Sequence, residues 1–305
     1  MSDKNFDVVV YGASGFTGKL VVEYLHQRYG DDQNFSWALA GRSQEKLTSV
    51  RDELVTSKDV PVLIVDSNNE SSVIEMVTQT KCVLTTVGPY QLYGQNIIKQ
   101  CAQHGTDYVD LCGEPGWMHE MINEYSKQAE ETGARIVFSC GFDSIPFDLG
   151  VFFLQKEVIA KHGKPASSIR GRVRAMNGEF SGGTAASLGA TMASLKKKPE
   201  LFEVLANPFA LSNGFVGPDQ PRDHKPVFDE KLETWVAPFF MAPINTKNVH
   251  RSNMLMDHMY GEDFCYNEMW IQGPGEEGKA AAEFVGKINP LADAPEPGEG
   301  PSRES

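Results

Sequence analysis

Apolar positions along the first half of the chain follow two alternating rhythms. Short, nearly continuous apolar runs at residues 6–10, 36–40, 60–65, 82–87, 108–111 and 135–139 read as strands. Stretches with apolar residues every three to four positions, at 17–29, 44–54, 71–78, 94–104 and 117–132, read as helices. In the first helix Leu20, Val21, Tyr24 and Leu25 share a face and are expected to point inward. Strands apolar on both faces and separated by amphipathic helices predict a parallel sheet covered on both sides. The predicted class is α/β, with a Rossmann-type doubly wound parallel sheet over residues 1–147.

After Pro146 the pattern changes. "SSIRGRVRAMNGEFSGGTAASLGATMASL" reads as an extended strand, a glycine turn and a helix, and "FCYNEMWIQG" as a strand with polar neighbours. Residues 148–289 are therefore predicted to form a second, α+β domain with an antiparallel sheet. The last sixteen residues, "PLADAPEPGEGPSRES" (290–305), are rich in Pro, Gly and Glu and lack any periodicity. On pattern alone they are a disordered tail or linker.

Composition narrows the function. A formal charge of −13 over 305 residues excludes the basic footprint of a nucleic-acid binder. Cys82, Cys101, Cys112, Cys140 and Cys265 form no CxxC pair and no Cys/His cluster with zinc spacing, so no metal site is expected. Unpaired thiols of this kind fit a reducing compartment. The polar start "MSDKNFD" is no signal peptide, and no run of 18 apolar residues is present. A soluble, cytoplasmic protein is expected.

Candidate chemistry begins at "VVVYGASGFTGKLVVEYL". Gly12, Gly15 and Gly18 lie between a predicted strand and a predicted helix. That spacing suits a tight turn, close approach of backbone to phosphate, and close helix–strand packing. Ala13, Ser14, Phe16 and Thr17 complete the turn, whose free N–H groups and helix dipole would face a pyrophosphate. After the second strand, an NAD-selecting enzyme usually carries an acidic residue. This chain reads "LAGRSQEKL", where Arg42 and Ser43 suit the 2′-phosphate of NADP instead. Asp66 can touch the adenine edge or cap the following helix. Val87, Gly88 and Pro89, in the loop after the fourth strand, are expected beside the ribose and nicotinamide.

A nicotinamide cofactor implies hydride transfer but does not name the substrate. No tyrosine is followed four residues later by lysine, which removes the short-chain dehydrogenase pair. Cys140 reads as strand-end packing rather than a nucleophile. "YGASGFTGKLVVEYL", "ALAGRSQEKL", "VLTTVGPYQLYG", "GTDYVDLCGE" and "CGFDSIPFDLG" together resemble the saccharopine dehydrogenase-like oxidoreductases. The resemblance is to the branch of trans-acting enoyl reductases of bacterial lipid synthesis. "FSGGTAASL", "WVAPFFMAPINTKNVHRSN" and "PGEGPS" extend it over nearly the whole chain. It implies an NADP-binding domain followed by a domain for substrate and dimerisation, hence a homodimer. Members of the family usually continue beyond "GEGPS", whereas this chain ends at Ser305, as expected of a truncated or shortened member.

Enoyl reduction needs a donor aimed at the carbonyl oxygen and a proton for the α-carbon. Tyr90, Tyr93 and Asp143 are the candidates, with Ser144 and Glu114 as further polar groups near the same strand ends; each can equally pack or cap. Arg170, Arg172 and Arg174 alternate along one predicted strand face, and Gly182, Gly183 and Thr184 open the next helix. Together they could hold a carboxylate or a phosphopantetheine arm, or form a solvated face. The apolar stretch Thr234–Ile244 could line a lipid pocket or rest on a membrane or lipid droplet, or be core or interface. The substrate expected is thus a small molecule or a lipid or polyketide-like enoyl compound. Saccharopine-type imine reduction and a non-catalytic, lipid-associated cofactor-binding scaffold are the alternatives.

Overall fold

A computed structural model describes residues 4–55, 59–176, 180–221, 224–287, 295–296 and 298–302. The first half runs β1 (Phe6–Tyr11), α1 (Phe16–Tyr29), β2 (Trp37–Gly41), α2 (Gln44–Leu54), β3 (Val62–Ile64), α3 (Glu70–Gln79), β4 (Thr80–Thr85), α4 (Tyr90–Tyr93), α5 (Gln95–His104), β5 (Asp107–Val109), α6 (Pro115–Thr132) and β6 (Ile136–Val137). There follow α7 (Ile145–His162), β7 (Ser168–Val173), α8 (Gly182–Lys197), α9 (Leu201–Ala206), β8 (Val227–Asp229), β9 (Thr234–Pro238), α10 (Ala242–Leu255), β10 (Cys265–Gly273) and α11 (Gly275–Val285). The chain divides into two units. The first comprises Met1–Cys140, Phe180–Lys196 and Ala294–Ser302, and the second Gly141–Glu179, Lys197–Asp293 and Arg303–Ser305. Relative to the predicted 1–147 and 148–289 ranges, the first unit also takes in α8 up to Lys196 and the segment near the C-terminus.

In the first unit six strands form one sheet in the order β3-β2-β1-β4-β5-β6, all pairs parallel. This is the doubly wound order, with the strand sequence reversing between β1 and β4. β1 sits at the centre, Val10 opposite Leu39 on one side and Leu84 on the other. Val10, Val22, Leu39 and Leu47 have no exposed surface and form one cluster beneath α1 and α2. Truncating Leu39 to alanine there costs about 2–5 kcal/mol.

The rotation of α1 departs from the expectation. A Cβ on Gly18 would lie 2.1 Å from the Gly12 carbonyl oxygen, so Gly18 is seated against the preceding turn. The face meeting the sheet is therefore 18, 21, 22 and 25, with Gly18, Val22 and Leu25 buried. Leu20 and Tyr24, expected inside, are 41% and 59% exposed. Hydrophobicity counting favoured the larger residues, but a glycine contact decides the phase.

The sheet of the second unit has the order β7-β10-β9-β8. β9 is antiparallel to β10 and β8, while β7 and β10 run parallel. The expected antiparallel sheet is thus a mixed one, because the long connection between β7 and β10 lets both run the same way. Thr234–Ile244 forms β9 and the start of α10. Val236 and Ala237 have no exposed surface, and Phe239, Met241 and Ala242 are buried. That stretch is core of the unit, not an exposed lipid-facing strip.

Candidate active site

At the carboxyl end of β1 the chain builds a turn from backbone. Gly12 has φ +92°, and a Cβ on it would meet Val87 Cγ2 at 2.7 Å and Thr86 Oγ1 at 2.8 Å. Gly15 opens α1 with no side-chain cap, so its first-turn N–H groups lack a side-chain acceptor. The hydroxyls of Ser14 and Thr17 make no hydrogen bond among the described residues, Ala13 is fully buried, and the Phe16 ring stands at the helix start. A turn too tight for side chains, ending in unclaimed donors at a helix N-terminus, fits a dinucleotide pyrophosphate.

Beyond β2, Ser43 caps α2, its Oγ accepting from Lys46 N at 3.3 Å. Arg42 is exposed and makes no ion pair among the described residues. Burial raises the Tyr11 hydroxyl, and the charges of Asp66 and Arg42 act on it in opposite directions. Asp66 Oδ1 accepts from Asn68 N at 2.9 Å, while Asn69 is the cap of α3. Asp66 therefore closes the turn before the helix rather than capping it.

The loop after β4 carries Val87, Gly88 and Pro89 and then α4. Val87 N donates to Thr85 Oγ1 at 3.2 Å, and a Cβ on Gly88 would touch Ser187 Oγ at 3.4 Å. Tyr90, expected as a donor or acid, is a packing residue. It is 3% exposed, and its ring stacks on Trp117 with centroids 5.8 Å apart. Its hydroxyl donates to Thr85 O at 3.3 Å and accepts from Leu111 N at 3.4 Å, and burial holds it well above the ordinary phenol range. Tyr93 differs: it is half-buried, and its hydroxyl has no hydrogen-bond partner among the described residues.

Glu114 is likewise structural. Its side chain is buried and accepts from Tyr90 N at 2.8 Å, Gln91 N at 3.0 Å and Gln91 Nε2 at 2.9 Å, holding the start of α4. Gln91 also donates to Thr191 Oγ1 at 3.3 Å and accepts from Ser194 Oγ, both on α8. Gln91, Thr191 and Ser194 were not singled out from the sequence. Their only trace in the sequence is a polar stripe, Ser187, Thr191 and Ser194, on a helix whose other residues up to Leu195 are small or apolar. Behind them Asp110 is buried, accepting from Tyr108 Oη at 2.8 Å and from Cys112 N and Ser139 N at 2.9 Å. Burial pushes its carboxyl up to about 7. Burial also raises Cys82 to about 11 and lifts Cys112 well above the ordinary thiol range, so these thiols pack rather than react.

Asp143 and Ser144 belong to the second unit, where Asp143 O accepts from Asn245 Nδ2 at 2.9 Å. The Asp143 carboxyl is half-buried and raised by that burial. Ser144 is buried and opens α7 without a side-chain cap bond. The arginine stripe is not an open anion clamp. Arg170 and Arg172 both converge on Asp229, with contacts of 3.2 and 3.0 Å, and Arg172 also donates to Asn267 Oδ1 at 3.1 Å. Arg174 lies beyond the end of β7 and is exposed. At the start of α8, Gly182 N donates to Glu299 O at 3.0 Å, so a protein carbonyl holds the expected anion position. Residues 295–296 and 298–302 are thus docked in the first unit rather than a disordered tail; 290–294, 297 and 303–305 lie outside the described residues.

The second unit also contains a cavity of about 460 Å³, lined among others by Phe209, Gln220, His224, Thr246, Lys247 and Tyr266. Lys247 Nζ donates to Leu205 O at 2.8 Å and Pro243 O at 2.9 Å.

Residues 8–137 match the family model of the saccharopine dehydrogenase NADP-binding domain. That range begins in β1 and ends with β6. A Mycobacterium ulcerans trans-acting enoyl reductase is 37% identical, over 89% of this chain and 67% of its own length. The chain belongs to the saccharopine dehydrogenase-like oxidoreductases. Within them it falls in the branch of the trans-acting enoyl reductases. A Mycobacterium bovis trans-acting enoyl reductase of that branch is 34% identical, over 100% of this chain and 79% of its own length. A Mycobacterium tuberculosis protein named for the same activity is 41% identical over 88% of this chain. The chain spans 66% of the length of that last relative. The first unit of this saccharopine dehydrogenase-like chain is the family's NADP-binding domain.

Proposed function

We propose that the chain is an NADP(H)-dependent reductase of a conjugated C=C bond, acting on an enoyl group of lipid or polyketide type. The observation that carries the reading is Arg42, exposed and without an ion pair at the end of β2, beside the glycine turn of an NADP-binding domain. The relatives' names support enoyl reduction. In this reading the N–H groups of Ser14, Phe16, Thr17 and Gly18 and the Ser14 and Thr17 hydroxyls bind the pyrophosphate, while those of Gly12, Ala13 and Gly15 hold the turn by donating to backbone carbonyls. Arg42 and Ser43 take the 2′-phosphate, Asp66 borders the adenine, and Val87, Gly88 and Pro89 line the nicotinamide end. Bound NADPH supplies a hydride for the β-carbon.

The chain's own task is then to steady the carbonyl oxygen and to protonate the α-carbon. Tyr93 is the proposed donor, since its hydroxyl is uncommitted while that of Tyr90 is bonded inside the unit. Asp143, whose carboxyl burial keeps toward the protonated form, is the second candidate. The imine alternative loses its carboxylate anchor, because Asp229 already holds Arg170 and Arg172. Among the described residues no helix is long and apolar enough to cross a membrane. A homodimer through the second unit belongs to the proposal.

The test is NADPH oxidation by the purified full chain with trans-2-enoyl thioesters of increasing chain length. Tyr93→Phe is expected to lower kcat by about 100-fold with little change in NADPH affinity. A larger loss in Asp143→Asn than in Tyr93→Phe would reassign the donor. No oxidation with any enoyl thioester would overturn the enoyl reading.

A further inference from the structure

Helix α8 is remote in sequence from the glycine turn, yet the first unit holds it at two places. Midway along, Thr191 and Ser194 bond the Gln91 side chain, and Ser187 faces Gly88. Gln91 is in turn fixed by Glu114. The loop carrying Val87, Gly88 and Pro89 is thereby tied to α8. At its start, α8 meets residues 296 and 299. Glu299 N bonds back to Glu296 O at 3.0 Å, and Glu299 O takes the Gly182 N–H.

The same segment then reaches the cofactor turn. A Cβ on Gly300 would lie 2.5 Å from carbons of the Phe16 ring, so the backbone there is pressed flat against that ring. Phe16 is the first residue of α1, whose N-terminus follows the glycine turn. Packing at Gly182 is as close, since a Cβ on it would fall 1.9 Å from Glu296 O. Glycine at 182 and 300 thus lets one short segment bridge α8 and α1.

We infer that α8 and the 298–302 segment form a latch on the NADP site, joining its pyrophosphate end at Phe16 to its nicotinamide loop at Gly88 and Gln91. The inference rests on the NADP(H) reading of the glycine turn. A latched segment holds Phe16 in place and slows cofactor escape. Bound cofactor in return favours the docked segment, because the two effects are reciprocal.

Gly182→Ala separates the latch from the fold. It raises helix propensity, yet it cannot coexist with the docked Glu296 carbonyl. Gly183→Ala is the control one residue on, where an added Cβ meets only Ser181 Oγ, at 3.6 Å. NADPH titration of the full chain by fluorescence should show Gly182→Ala binding about 10-fold more weakly, chiefly through a faster off-rate, and Gly183→Ala unchanged. A protease specific for Glu provides the second readout. Saturating NADPH should slow cleavage after Glu299 in the wild type by about fivefold and have no effect in Gly182→Ala. Equal NADPH affinity in wild type and Gly182→Ala, with cleavage indifferent to NADPH, would overturn the latch alone. No NADPH binding by the wild type would overturn the cofactor reading and the latch with it.

Discussion

Arg42 follows a strand of the first sheet, and Arg170 and Arg172 lie along a strand of the second, but their charges meet different surroundings. Arg42 is exposed, with no ion pair among the described residues. Arg170 and Arg172 close on a single carboxylate whose side chain is 2% exposed. Burial pushes the Asp229 carboxyl up, but the Arg172 hydrogen bond and both guanidinium charges outweigh it and hold it below the ordinary range. A cation already answered by a buried anion belongs to the fold, and a cation left unanswered at a strand's ligand end is available to a ligand. Two tyrosines divide in the same way: Tyr90 spends its hydroxyl inside the unit, and Tyr93 does not.

Substitutions on each side of this contrast sharpen it. The largest effect is expected at the turn that gives Arg42 its context. Gly18→Val must push α1 away from the Gly12 carbonyl, and NADPH affinity should fall by about 100-fold or more, the scale of losing two charge-assisted backbone hydrogen bonds to the pyrophosphate. Titration of a folded variant with unchanged affinity would break the account of the turn. Next comes Asp229→Ala, which strands two arginines. It should cost about 3 kcal/mol in urea unfolding, the lower end for breaking a buried pair, because Arg170 remains partly exposed. A loss within about 0.5 kcal/mol would show that the arginines are not held by that carboxylate.

A third test uses pH. Burial lowers His250 to about 4, where its ring meets Gln220 Oε1 at 3.0 Å. The unfolded chain takes up that proton first, so this stability is present above about 6.5 and is lost as pH falls toward about 4. Asp110, raised to about 7, works the other way and favours the fold as pH drops through that value. Comparing wild type with His250→Gln removes the Asp110 contribution. The wild type should lose about 3 kcal/mol relative to the variant between pH 6.5 and 4. Parallel stability curves would refute a neutral buried His250. The smallest effects separate the tyrosines: Tyr90→Phe should cost about 1 kcal/mol, and Tyr93→Phe should stay within about 0.5 kcal/mol. Thermal unfolding measures both, and a reversed order would undo the distinction between them.

Much of the first unit was legible in the sequence because its information is local. Each strand and helix carries its own periodicity, and the glycine turn sits within one strand–helix step. Strand ends were read too long: β6 covers only Ile136–Val137 of the predicted 135–139, and β3 only Val62–Ile64 of 60–65. The residues beyond β6 turn into loops held by buried groups such as Asp110. What was not legible depends on partners far apart in the chain. Nothing near Arg170 announces Asp229, 59 residues on, and nothing near Gln91 announces Ser194, 103 residues on. The docking of Glu299 and Gly300 left no periodic signal, because backbone carbonyls and glycines make those contacts. Tyr90 was misread for a related reason, since only tertiary packing distinguishes a tyrosine that faces Trp117 from one that faces outward.

The central claim, that an unpaired Arg42 beside the glycine turn selects NADP(H), is tested most directly by one measurement. Wild type and Arg42→Ala are titrated with NADPH and with NADH under identical conditions. Wild type should bind NADPH selectively, and the variant should lose about 10- to 100-fold for NADPH with under threefold change for NADH. Equal weakening of both cofactors, or a wild type that does not distinguish them, would contradict it.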